Sequence, residues 1–241
     1  DLAPHPDFAN NRLVFFTFNR TGRTLPAEGD RPETVTGILT VLRARYADGR
    51  LTEVRELYAA GEGNPSFAPG SRLALDGAGH VYVTTGAPFG GYSQDLSSAY
   101  GKVLRLREDG GIPADNPFAG LTGARPEVYS LGHRDQLGLA VHAGRVFSAE
   151  HGPNGGDEVN LIRPGRNYGW PRVTFGRGYD GAALAESPVA AGMEPPMLTW
   201  VPSIGPTGLQ FYTGDRFPAW KGNLFVGSVR RGQIPGTGGL E

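Results

Sequence analysis

The densest collection of chemically capable side chains in the sequence is Glu150-His151-Gly152-Pro153-Asn154-Gly155-Gly156-Asp157-Glu158-Val159-Asn160. It is followed closely by Pro164-Gly165-Arg166-Asn167-Tyr168-Gly169-Trp170-Pro171. Three acids, a histidine and several glycine-flanked carbonyls fall within the first eleven residues. Hard cations such as calcium take oxygen ligands of this kind, with carboxylates supplying charge and glycine turns aiming carbonyls inward. The spacing is not that of an EF-hand loop, and without two histidines at helical spacing it is no zinc-protease motif. The same residues also suit an Asx-rich turn in which the acids cap backbone amides. Both readings stand at this level. His151 by itself, like His5, His80, His133 and His142, is by default a hydrogen-bonded structural residue.

Such a site needs a scaffold. The 38 Gly and 20 Pro break the chain into short segments, and none sustains the apolar spacing of a long helix. The pattern predicts an all-β chain, with strands at Leu13–Phe18, Gly37–Tyr46, Arg72–Leu75, Val81–Thr85, Lys102–Leu106, Val146–Ala149 and Asn223–Ser228, several of them alternating. Four stretches align with one another. Each has an apolar strand beginning at Leu2, Leu73, Leu139 or Leu209, a polar turn, and a second strand entered through Arg12, His80, Arg145 or Asn223. The starts lie 71, 66 and 70 residues apart. That period is too long for a solenoid turn and suits a four-stranded propeller blade with long connections. An irregular β-sandwich that matches itself by chance is the alternative. Four blades leave open edges that a closed ring removes. Residues 1–241 are therefore expected to be one propeller domain, incomplete at both ends, in keeping with the abrupt start at Asp1-Leu2-Ala3-Pro4 and the abrupt end at Glu241.

Propeller sites form from loops on one face, at equivalent points of successive blades. Ala68 and Arg134 stand five residues before the strand starts at Leu73 and Leu139, and Ser203 stands six before Leu209. Composition narrows the chemistry further. With 39% hydrophobic and 20% charged residues the chain is an ordinary globular one, and its net charge of -1 leaves no electrostatic footprint for nucleic acid or an acidic membrane. No apolar run is long enough to span a bilayer. Zero cysteines exclude disulfides and thiolate metal sites. The phosphate-binding, dinucleotide-binding and nucleophile-elbow motifs are all missing. Any redox chemistry must come from a cofactor, acting on a small neutral substrate.

Glu150 to Pro171, with Gly132-His133-Arg134 before it and Ser203-Ile204-Gly205-Pro206-Thr207-Gly208 after it, resembles the soluble glucose and aldose sugar dehydrogenases that use pyrroloquinoline quinone (PQQ). The likeness runs from His5-Pro6-Asp7-Phe8 through Ile112-Pro113-Ala114-Asp115-Asn116-Pro117-Phe118 to Trp220-Lys221-Gly222-Asn223. The resemblance implies a six-bladed β-propeller, of which this chain supplies about four blades. It also implies a periplasmic or secreted protein that oxidises aldoses to lactones and passes electrons to an acceptor the sequence does not name. By the same resemblance the backbone oxygens of Gly152 and Pro153 hold a calcium ion against the quinone, and Glu158 and the Tyr168 carbonyl hold a second. Cofactor contacts would fall to Arg134, Asp135, His151, Gly152, Pro153, Tyr179, Ser203 and Arg230, with Arg134 also stabilising the reducing oxygen.

The likeness fails where catalysis would begin. In the family a histidine four residues before an arginine takes the proton from the sugar's anomeric hydroxyl. Here Phe67-Ala68-Pro69-Gly70-Ser71-Arg72-Leu73 puts Ala68 at that position. A methyl group cannot accept a proton. The asparagine expected after Arg134 is Asp135, an acid beside a cofactor that carries three carboxylates. Two readings follow: a sugar dehydrogenase impaired at Ala68, or a non-catalytic calcium- and ligand-binding propeller of the same descent.

Overall fold

A computed structural model describes residues 1–29, 32–61, 63–64, 70–87, 89–230 and 238–240. They form four antiparallel sheets, in which strand order follows chain order. The first holds β1 (Leu2–Pro4), β2 (Leu13–Leu25), β3 (Thr34–Ala47) and β4 (Arg50–Ala59). The second holds β5 (Leu73–Leu75), β6 (His80–Thr85), β7 (Lys102–Arg107) and β8 (Val128–Leu131). The third holds β9 (Gln136–His142), β10 (Arg145–Glu150), β11 (Asp157–Ile162) and β12 (Leu198–Trp200). The fourth holds β13 (Pro206–Phe211), β14 (Leu224–Ser228) and β15 (Gly239–Leu240). The first strands meet in series, β1 against β5, β5 against β9 and β9 against β13. The sheets are therefore successive blades of a β-propeller, and each of the four paired starts expected from the repeat opens one of them.

The core sits between blades. Phe15, Leu39 and Val41 of the first pack on Leu73, Val81, Val83 and Leu104 of the second. Tyr82 and Val103, on the opposite face, pack on Leu139, Val146 and Ile162 of the third. Phe147, Ala149 and Val159 then meet Leu209 and Val226 of the fourth. A middle strand that faces a neighbour on both sides loses the apolar-polar alternation expected of a half-exposed one. Thus β6 is buried from Val81 to Thr85, and β10 from Val146 to Glu150. Even the ammonium of Lys102 in β7 is enclosed, donating to the carbonyls of Tyr92, Ser93 and Tyr100.

One side chain joins all four blades where their first strands meet. Arg72 donates through Nε to the Leu137 carbonyl at 2.7 Å and through Nη2 to the Thr207 carbonyl at 2.6 Å. Its Nη1 reaches the Asp1 carboxylate, which also accepts from the Leu73 amide at 2.8 Å. Arg72→Met keeps most of the length of the side chain and removes all three guanidinium bonds. Urea unfolding is expected to show it less stable by about 1–3 kcal/mol, with native circular dichroism retained.

Candidate functional site

The start of β9, the end of β10 and the starts of β11 and β13 open on one face, and two buried carboxylates organise it. Asp157, 1% exposed, accepts from the Gly152 amide at 2.9 Å and the Ser203 hydroxyl at 3.0 Å. It also accepts from the Ile204 and Gly205 amides, each at 2.7 Å. It therefore fastens the loop after β10 to the segment entering the fourth blade. The loop turns too tightly for any side chain at Gly152, where a Cβ would collide with the Gly155 carbonyl. Glu150 accepts from His133 Nδ1 at 2.9 Å, the Arg134 amide at 2.7 Å and Asn160 Nδ2 at 2.8 Å. His133 is enclosed, stacked on Tyr168 with ring centroids 4.6 Å apart and joined through Nε2 to Ser130 Oγ.

Glu150 thereby sets Arg134, the charged centre of the face. The Arg134 guanidinium donates through Nη1 to the carbonyls of His151 and Gly152 at 3.1 and 3.0 Å, and through Nη2 to the Tyr179 hydroxyl at 3.0 Å. It lies 5.2 Å from the centroid of the Trp170 ring. Its Nε is buried with no acceptor among the described residues. A buried charged donor left unpaired is costly. Arg134 lines a polar cleft of about 200 Å³ together with His151, Gly152, Pro153, Tyr179, Ser203 and Arg230.

A small cavity of about 10 Å³, room for one water or ion, is lined by Arg134, Glu150, His151, Gly152, Glu158, Tyr168 and Trp170. The Glu158 carboxyl is pushed up to about 8 by burial and by the charges of Glu150 and Asp157, against which Asn160 Nδ2 at 3.1 Å is its only opposing hydrogen bond among the described residues. Burial likewise raises the Tyr168 phenol, whose hydroxyl donates to the Leu161 carbonyl. The carbonyls of Pro153 and Tyr168 accept no hydrogen bond among the described residues, while that of Gly152 keeps one lone pair beside Arg134. These open oxygens and the under-compensated Glu158 fit a hard cation. No group of three or more His, Asp or Glu among the described residues could hold a metal by itself.

The residues expected from the sequence separate into groups. Arg134, His151, Gly152, Pro153, Tyr179, Ser203 and Arg230 converge on the polar cleft, while Glu158 and Tyr168 border the small cavity. His151 is fixed by a 2.8 Å hydrogen bond between Nε2 and the Pro206 carbonyl, and the Ser203 hydroxyl, besides donating to Asp157, accepts from the Gly155 amide. Asp135 turns to the second blade, its carboxylate accepting from the Gly70 amide at 3.0 Å. Ala68 lies outside the described residues. Of the three acids grouped as cation ligands, Asp157 instead caps amides, as the Asx-turn alternative held. Trp170, which no sequence argument assigned, is a fixed plate: its Nε1 donates to the Ala87 carbonyl and its carbonyl accepts from Gln94.

The face of the propeller thus gathers two arginines, a tyrosine and the Gly152–Pro153 turn around one polar cleft. Residues 1–236 match the family model for glucose / sorbosone dehydrogenases, and the chain belongs to that family. It is 35% identical to the aldose sugar dehydrogenase YliI of Escherichia coli (strain K12), over 95% of this chain and 62% of that protein. The crystal structure of the soluble E. coli aldose sugar dehydrogenase in its apo-form superposes with a TM-score of 0.85 at 33% identity, covering 95% of this chain and 65% of that one. The PQQ-bound aldose sugar dehydrogenase of Streptomyces coelicolor gives a TM-score of 0.66 at 25% identity, covering 100% of this chain and 65% of that one. The chain thus spans less than two thirds of the length of these relatives. Among the described residues no helix is long and apolar enough to cross a membrane.

Because the folded value of Glu158 lies above the ordinary carboxylate range, the unfolded chain gives up this proton first as pH rises. Without divalent cation, its contribution then falls between about pH 5 and about pH 8. Glu158→Gln should match the natural protein in urea unfolding near pH 5. By pH 8 the variant should be more stable by about 1 kcal/mol or more, and added calcium should close that gap.

Proposed function

We propose that this face binds PQQ together with calcium and oxidises aldose sugars to lactones, slowly because Ala68 stands at the proton-accepting position. The observation that carries the reading is the Arg134 guanidinium, which lines the polar cleft and has one buried donor, Nε, without an acceptor among the described residues. PQQ with calcium would supply a two-electron acceptor whose carbonyls the cation polarises. The chain's own part is to bind and orient. Arg134 and Arg230 meet carboxylate or quinone oxygens, Gly152 and Pro153 turn carbonyls to the cation, and the Tyr179 hydroxyl, held by Arg134, borders the same cleft. Glu158 and the Tyr168 carbonyl would take a second calcium. This reading includes a six-bladed ring in one domain, an aldose as substrate, and export to the periplasm or beyond.

Ala68 favours a second reading, a propeller that binds calcium and ligand without turnover. Asp135 accepts from the amide of Gly70, two positions after residue 68 in the sequence.

The whole protein, supplied with calcium and PQQ, is expected to bind the cofactor by calorimetry, and Arg134→Met to bind it at least about tenfold more weakly. In aldose-dependent dye reduction, Ala68→His should exceed the natural sequence by about two to four orders of magnitude. Absence of PQQ binding in both would overturn the reading. Binding in both with turnover only in the histidine variant selects the non-catalytic form. Equal rates would assign the proton to another base, with Asp135→Asn as the next variant.

A further inference from the structure

The turn from Asn167 to Pro171 brings Tyr168 and Trp170 to the small cavity. The Arg134 guanidinium stands over the Trp170 ring, 5.2 Å from its centroid. Trp170 also walls a larger, mostly apolar cleft of about 440 Å³, with Phe89 and Leu184, which adjoins the polar one at Arg134 and Tyr179. The place of this one indole therefore bears on the whole face.

The second blade sets the path of the turn through backbone bonds. The Tyr168 and Trp170 amides donate to the carbonyls of Leu131 and Gly132, each at 2.8 Å, and the Leu131 amide donates to the Arg166 carbonyl at 3.0 Å. Gln94, in the connection from β6 to β7, adds three side-chain bonds to these. Its Oε1 accepts from Asn167 Nδ2 at 2.8 Å, and its Nε2 donates to Asn167 Oδ1 at 3.0 Å and to the Trp170 carbonyl at 2.7 Å. Both hydrogens of the Gln94 amide are thus committed, and none is left for a ligand. Asn167 Oδ1 passes the constraint on, since it also accepts from the Gly169 amide at 2.9 Å. Residue 132 must leave room for that oxygen, because a Cβ on Gly132 would collide with it.

The same connection reaches the site at a second point. The Ala87 carbonyl accepts from Trp170 Nε1 at 3.1 Å, and the Ala87 amide donates to the Arg134 carbonyl at 2.6 Å. One segment of the second blade therefore holds the indole at both ends and holds the backbone of the arginine above it. The turn already has its path from Leu131 and Gly132, so what Gln94 adds is orientation.

We propose that Gln94 is a positioning residue for the cofactor, fixing the Trp170 ring against the Arg134 guanidinium so that the arginine meets the polar cleft in one orientation. The inference rests on the function proposed above. A guanidinium seated on a fixed aromatic face has little freedom left to lose when an anion arrives. If the ring is loose, the ligand must order both groups and affinity falls.

The test uses the whole protein and two variants. Gln94→Met keeps the bulk and loses all three bonds, whereas Gln94→Glu keeps the shape and sets a carboxylate against the Trp170 carbonyl. The first measurement needs no cofactor. Trp170→Phe identifies the part of the near-ultraviolet circular dichroism that comes from this one of the three tryptophans, and that part should be largely lost in both Gln94 variants while urea unfolding stays cooperative. The second is calorimetry with PQQ and calcium, in which each variant should bind PQQ about tenfold more weakly than the natural protein at neutral pH. As pH falls to about 4.5 the introduced carboxyl takes up a proton and can donate to the Trp170 carbonyl. Gln94→Glu should then regain most of the affinity that the natural protein has at the same pH, and Gln94→Met should not. An unchanged Trp170 signal, natural PQQ affinity in both variants, or loss of the folded state in both would overturn the inference. So would a Gln94→Glu variant that stays weak at low pH, which would assign the loss to packing. Failure of the natural protein to bind PQQ overturns the proposed function, whereas the cofactor-free signal still decides whether Gln94 positions the ring.

Discussion

A carboxylate removed from water must be met by donors, and the arrangement of this face follows from how two such groups are satisfied. Glu150 collects an imidazole, an amide side chain and the backbone of Arg134. Asp157 collects three backbone amides and a hydroxyl from both sides of the junction between the third and fourth blades. Asp157, with four donors, is fully satisfied, and Glu150 has three. Their work is to fix the loops from which Arg134, Gly152, Pro153 and Ser203 reach the cleft.

Glu158 is the contrast. It lies directly opposite Glu150 in the β10–β11 register, yet among the described residues Asn160 is its one hydrogen-bond donor. Burial and two neighbouring acids raise its pKa, which is the signature of a site short of positive charge. The open carbonyls of Pro153 and Tyr168 add oxygen without charge. Arg134 has the complementary shortage, a cationic Nε with no acceptor. The calcium and PQQ proposed for this face would answer the two shortages together.

Much of the fold was legible in the sequence because its information is local. Glycine and proline mark the turns, and the pairs that open at Leu2, Leu73, Leu139 and Leu209 each found their hairpin. Alternation was the weaker guide, since β6 and β10 are sealed on both faces by neighbouring blades. The site was legible in membership but not in role. Spacing could not separate Asp157 from Glu158, adjacent in sequence, because the amides that satisfy Asp157 come from Ile204 and Gly205 on the next blade. Trp170 was visible only as part of a motif, for its meaning lies in the guanidinium above it and in Ala87, far away in the chain.

The sequence by itself determined the all-β character, the repeat, the segment where oxygen and charge collect, and the absence of a histidine at residue 68. Each depends on residue type and spacing along the chain. Only the tertiary structure decided which acid is capped and which is left short, where Asp135 turns, that Arg134 keeps one donor free, and that an apolar cleft adjoins the polar one. Those outcomes depend on which groups from separate blades arrive within hydrogen-bonding distance of one another once water is excluded. Chain spacing does not encode that distance.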